Sequence, residues 1–281
     1  MKNFTILFLV LSLSSCTHLF FQPDRYLHIP PEKLKVEYQN IYFDSTDKTR
    51  LHSWFLPRKD QSQKAKGLIV LYHGNAQNLS SHYISVSWMT RFQYDVWVWD
   101  YRGYGLSQGV ADSSGVYQDS LAALEFAVKM VDEKKYPKLI MVGQSLGGNI
   151  LMRALHDSPH KDKVDAVVLD STFLGYKDIA FDRLTQYWFT YLFSPLSYVL
   201  VSDEYSAKEV VNNITHPALV IHGNKDAIIP FRFGEEVYAK LGSEKKEFLP
   251  VKEAGHINSI GMGREKINQI LLDFIERVTP H

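Results

Sequence analysis

The sequence predicts an α/β domain built on a mostly parallel, eight-stranded sheet with helices on both faces. Three observations lead there. Eight short segments of strand character lie between residues 36 and 251, and several, such as GLIVLYHG (67–74), are continuous apolar runs. Such runs mark strands covered on both faces, because a half-solvated strand alternates instead. Segments with apolar residues at helical spacing separate them, and strands alternating with helices build a parallel sheet. Finally, a Gly-x-Ser-x-Gly pattern (143–147) lies where a strand run meets a helical one.

Taken in order, VEYQNIYF (36–43) and RLHSWFLP (50–57) flank the turn-rich DSTDKT and read as an antiparallel pair. The remaining strands are GLIVLYHG (67–74), DVWVWDYRG (95–103), KLIMVG (138–143), VDAVVLD (164–170), PALVIHG (217–223) and KEFLPV (246–251). Between them, VYQDSLAALEFAVKMV (116–131) sets Leu121, Leu124, Val128 and Val131 at helical spacing, and LGGNILMRALHD (146–157) follows the serine. RFGEEVYAKLG (232–242) ends in a glycine that reads as a C-cap, and REKINQILLDFIERV (264–278) is strongly amphipathic. Ligands of such sheets bind beyond the carboxyl ends of the strands, so the loops there are where chemistry is expected.

The chain has 281 residues, of which 45% are hydrophobic and 22% charged, so one domain of ordinary globular composition can bury a large core. Lys plus Arg and Asp plus Glu both number 31; there is no basic stripe to suggest a nucleic-acid partner. Residues 1–15 read as a targeting signal. A short basic start precedes FTILFLVLSL (4–13), an apolar run too short to span a bilayer. LSSC (13–16) then ends in Cys16, the single cysteine of the chain, which excludes an internal disulfide. This stretch resembles the lipobox of bacterial lipoproteins. That resemblance implies lipidation of Cys16 and a lipid-anchored domain in the cell envelope, and Thr17 in place of aspartate favours the outer membrane. Residues 16–34, Pro-rich and without a period, read as an extended tether to the domain at 35–281.

Ser145 is expected in a tight strand-to-helix turn, with Gly143 and Gly147 lacking the Cβ atoms that would crowd it. It would sit exposed at the sheet edge over a helix N-terminus, where the N–H of Leu146 can meet an oxyanion. A serine hydroxyl needs a base, and the base an orienting carboxylate. His256, in EAGHINS after the last strand, and Asp226, in HGNKDAIIP after the strand before it, supply both in the order Ser, Asp, His. Asp170 also ends a strand and is the rival acid. A second oxyanion donor is expected from HGNAQN (73–78), with the N–H of Asn75 first and that of Ala76 second. His73 and His222 read as loop-shaping residues, and Arg102 as a brace.

HGNAQN, DYRGYGLSQG (100–109), GQSLGG, HGNKDAIIP and AGH together resemble the α/β-hydrolase-fold serine hydrolases, in the branch of Bem46-like proteins and of enzymes that remove palmitate from proteins. The resemblance runs from about residue 35 to the C-terminus. It implies an esterase, lipase or thioesterase with an acyl-enzyme intermediate and no metal or cofactor; no metal-ligand spacing or phosphate loop appears. Residues 172–205 break the strand–helix alternation and carry ten aromatics, as a cap would. Those rings would form an apolar acyl pocket, a face toward a membrane, or the core of the cap itself. Two other readings stay open: a serine peptidase of the same fold, and a non-catalytic lipoprotein used in binding or assembly.

Overall fold

The structure, a computed structural model, describes residues 20–279. The signal segment, the lipobox and Cys16 lie outside the described residues.

The elements run β1 (Gln39–Asp44), β2 (Arg50–Leu56), β3 (Gly67–Tyr72), α1 (Leu79–His82), β4 (Tyr94–Trp99), α2 (Ser113–Lys134), β5 (Leu139–Gln144), α3 (Leu146–Asp157), β6 (Ala166–Asp170), α4 (Tyr176–Thr185), α5 (Ser197–Leu200), β7 (Ala218–Gly223), α6 (Phe231–Lys240), β8 (Lys246–Val251) and α7 (Glu265–Val278). They form one eight-stranded sheet of order β1-β2-β4-β3-β5-β6-β7-β8. β1 pairs antiparallel with β2 and β2 with β4, and every other pairing is parallel. The eight strands read from sequence are these eight. The central strands are buried on both faces. Along β3, Leu68, Val70 and Tyr72 enter a core covered by α2, α3 and α6, while Ile69 and Leu71 enter the opposite core with Phe274 of α7.

Three local features differ from the sequence reading. α2 begins three residues early, because the Asp112 side chain accepts the Gly115 N–H at 2.9 Å and caps the helix ahead of its first apolar residue. α6 ends at Lys240, and Gly242 is not in the left-handed region of a glycine cap. A Cβ there would collide with the Asn212 carbonyl, so close approach explains the glycine. Residues 20–34 are no free tether. Pro23 bridges Gln77, the Gly105 N–H donates to the Asp24 carbonyl at 2.8 Å, and the Asn78 side chain donates to the Tyr26 carbonyl at 2.7 Å.

α7 is held at its far end by an ion cluster. Lys66 and the buried Lys138 approach the two oxygens of Glu276 at 3.0 and 3.1 Å. Burial acts to raise the carboxyl's pKa, but the two ammonium groups overcome it and hold the group at about 2, below its ordinary 4.5. A carboxyl depressed on folding stabilises above its unfolded pKa and loses that contribution as pH falls through the folded one. Replacing Glu276 by Gln is therefore expected to destabilise at neutral pH. Urea unfolding should show the gap from wild type closing as pH drops from 4.5 toward 2; a gap independent of pH would contradict the assignment.

Candidate active site

β5 ends at Gln144 and α3 starts at Leu146, so Ser145 alone turns the chain. Its φ of 51° and ψ of −121° lie in a region that non-glycine residues avoid. Neighbours hold it from both sides: the Ser145 N–H donates to the Asp170 carbonyl at 2.9 Å, and the Thr172 hydroxyl donates to the Ser145 carbonyl at 2.6 Å. The flanking glycines are required by contact. A Cβ on Gly143 would meet the Gly148 Cα at 2.6 Å, and one on Gly147 would strike the carbonyl oxygens of Tyr72 and His73. Gly148 is a third such position, pressed against Thr172. Ser145 is not exposed as the sequence suggested. It is 5% accessible and lies at the floor of a cavity of about 500 Å³.

The loop between β8 and α7 carries His256 over this serine, with Nε2 2.9 Å from Ser145 Oγ and Nδ1 2.8 Å from Asp226 Oδ2. Asp226 follows β7, and its other oxygen accepts the N–H groups of Ile228 and Ile229, both at 2.8 Å. Burial acts to raise the Asp226 pKa. The hydrogen bond from His256 and the two backbone donors outweigh it, so the group sits below the ordinary carboxylate value. An ionised Asp226 can only accept, so Nδ1 of His256 bears the proton and Nε2 is left to accept from the serine hydroxyl.

The structure therefore brings Ser145, Asp226 and His256 into one hydrogen-bonded line. The rival Asp170 is fully buried, accepts from the Gln144 side chain at 2.9 Å and the Ser171 hydroxyl at 3.2 Å, and is pushed up to about 6 chiefly by burial. Its described hydrogen bonds do not include His256.

Leu146 lies in the first turn of α3, whose leading N–H groups have no intrahelical acceptor. It lines the cavity with Asn75 and Ala76. The Asn75 side chain is engaged elsewhere, accepting the Gln22 N–H at 2.9 Å and the Tyr104 hydroxyl at 3.0 Å, so the backbone N–H is what the loop can offer an oxyanion. His73 shapes that loop through its Nδ1 contact with the Gly74 carbonyl at 2.7 Å, and stacks on buried His82. His222 shapes the acid loop by donating Nε2–H to the Ile229 carbonyl at 2.8 Å. Arg102 braces Asp119 and Asp47 at 2.8 and 2.9 Å.

Residues the sequence did not mark complete the wall. Phe20 and Gln22 come from the N-terminal segment, Ile179 and Arg183 from α4, and Ile228, Ile229 and Ile257 from the acid and base loops. Arg183 also ties α4 to the acid loop, donating to the Ala227 carbonyl at 3.2 Å. Phe20 follows a signal-like segment and precedes a Pro-rich one, so no periodicity flags it.

The family described as serine aminopeptidase, S33, matches residues 63–209. The chain is 31% identical over 250 residues to the protein YfhR of Salmonella typhimurium, covering 85% of this chain and 80% of that one. It is 27% identical to the protein bem46 of Schizosaccharomyces pombe, covering 87% and 79%, as the Bem46-like resemblance implied. A solved esterase of Pyrococcus furiosus superposes with a TM-score of 0.74 at 20% identity, over 93% of this chain and 99% of that one, and shares the fold.

The geometry separates the two carboxylates by experiment. Asp226→Asn keeps the shape but cannot fix the imidazole tautomer, and kcat is expected to fall by roughly 10⁴. Asp170→Asn should keep kcat within about tenfold of wild type. Steady-state kinetics on any ester that turns over measures both; the reverse order would assign the acid to Asp170.

Proposed function

The chain belongs to the α/β-hydrolase family described as serine aminopeptidase, S33, and we propose that it is a serine hydrolase that cleaves carboxylic esters or thioesters of an apolar acyl group. The observation that carries this reading is the continuous contact from Ser145 Oγ through His256 to Asp226.

In this mechanism His256 Nε2 takes the hydroxyl proton as Ser145 Oγ attacks the acyl carbonyl. Asp226 stabilises the imidazolium and does not itself become protonated. The N–H groups of Leu146 and Asn75 receive the oxyanion, each lowering the barrier by roughly 3 kcal/mol. The imidazolium then protonates the leaving alcohol or thiol. Water enters, gives its proton to His256, and hydrolyses the acyl-enzyme. Ser145 and Leu146 are buried, and the low local dielectric strengthens each of these interactions.

The cavity wall supports an apolar acyl group, since Phe20, Phe173, Ile179, Ile228, Ile229 and Ile257 line it. An aminopeptidase must hold a substrate ammonium group. Apart from the imidazole of His256, the only titratable side chain among the described lining residues is the cation Arg183, and there is no Asp or Glu. This supports esters and thioesters over peptides. A pure binding role has no use for a serine held strained against a histidine. Lipidation of Cys16 would tether the enzyme to the cell envelope, the outer membrane being favoured, with the domain in the periplasm or outside.

The test is a panel of esters, thioesters and amides of graded acyl length, offered to the wild-type chain and to Ser145→Ala. Wild type should turn over esters and thioesters and leave amides. Ser145→Ala should keep its unfolding midpoint and lose at least roughly 10³ in kcat. Amide cleavage with free-amine preference would support the peptidase instead.

A further inference from the structure

The cap resolves the fate of its aromatics unevenly. Phe173 and Tyr176 are buried at its base, but the stretch YWFTYLFSPLSYVL (187–200) faces outward. Trp188, Leu192 and Val199 are 88, 83 and 72% accessible, and Phe189, Tyr191 and Phe193 are each more than half so. The stretch contains no Asp, Glu, Lys or Arg. A contiguous uncharged apolar face of this kind is rare on a monomer in water and marks an interaction surface.

Two observations indicate what covers it. First, the face adjoins the active-site cavity. Phe193, Leu196, Leu200 and Val201 line an apolar groove of about 470 Å³, and its other walls include Phe20 and Arg183, which also line the cavity above Ser145. Second, Phe20, the first described residue, sits at the same edge. The Phe20 ring packs edge-on against Tyr176 at 5.2 Å, and the four residues upstream reach Cys16. Four extended residues span at most about 14 Å. A lipid anchor at Cys16 would therefore hold the cap close to the membrane that carries it. A mixture of Trp, Tyr, Phe and Leu is the composition that seats at the level of lipid headgroups.

We propose that the outer face of residues 187–199 docks on the lipid bilayer. The docked face sets the mouth of the cavity against the membrane, and an acyl chain passes from the bilayer through the groove, between Phe20 and Arg183, to Ser145. The occupant is the lipid surface itself, and no helix among the described residues is long and apolar enough to cross it. The substrate class this implies, a membrane-resident acyl amphiphile, rests on the ester-hydrolase reading; the docking rests on the exposed face and on the proposed lipidation of Cys16, not on the hydrolase chemistry.

Trp188 is a built-in probe, because the other four tryptophans, Trp54, Trp88, Trp97 and Trp99, are buried. The full-length lipidated protein is placed in phosphatidylcholine–phosphatidylglycerol vesicles with or without brominated acyl chains. Subtracting the Trp188→Phe signal isolates Trp188. Docking predicts that brominated lipid quenches this component. An unquenched Trp188 overturns the proposal, and an unquenched Trp188 together with a dimer in light scattering puts a second copy on the face instead. In parallel, Leu192→Asp/Val199→Asp should lower turnover of a long-chain ester embedded in vesicles by about tenfold or more and leave p-nitrophenyl butyrate in solution unchanged. Equal loss on both substrates would contradict the proposal. A wild type that hydrolyses neither ester while Trp188 is quenched would sink the hydrolase reading and leave the docking in place.

Discussion

A single residue, Ser145, carries the chain from β5 into α3 at a φ of 51°. Such a conformation costs about 1–3 kcal/mol and persists only where the surroundings over-determine it. Those surroundings are spread across the sheet. Asp170 at the end of β6 accepts the Ser145 N–H, Thr172 just beyond donates to its carbonyl, and β3 passes so close that Gly147 can carry no side chain. The strand order places β3, β5 and β6 side by side, so the three strands that shape the turn are neighbours. Packing of the sheet and strain at the serine are one constraint.

The second requirement is a base that stays oriented. Two more strand ends supply it, because β7 and β8 extend the sheet beyond β6 and deliver Asp226 and His256 to the same edge. Burial alone would favour protonated Asp226. Two backbone N–H groups and the imidazole reverse that, and the ionised carboxylate in turn decides which ring nitrogen faces the serine. Asp170 has the same residue type and the same position at a strand end, but without comparable donors burial wins and its pKa rises. Environment, not residue identity, separates the two carboxyls.

Much of this was legible in the sequence, and the reasons are physical. Continuous apolar runs betray the central strands, covered on both faces, and the turn-rich DSTDKT betrays the antiparallel pair at the edge. The glycine–serine pattern was readable because close backbone contact tolerates no side chain at Gly143 and Gly147. Asp226 and His256, which the structure brings beside Ser145, stand out in the sequence because strand ends are where this architecture gathers chemistry. What escaped was set by long-range contact. The role of Phe20 and Gln22 depends on a segment that folds back onto the loop at Asn75, 53 residues away from Gln22, and no local pattern encodes that. The burial of Ser145 depends on α4 and the N-terminal segment closing over it. Composition counted the cap's aromatics but could not divide them between core and surface, since the cap's helices are short and irregular.

The central claim is that Ser145 is a nucleophile activated by His256. Fluorophosphonate labelling of the full-length protein, followed by mass spectrometry of the labelled peptide, tests it without any assumption about substrate. The account predicts one label per chain, on Ser145, and its loss in a folded His256→Ala variant. A folded wild type that takes no label, or a label that persists undiminished without His256, would contradict it.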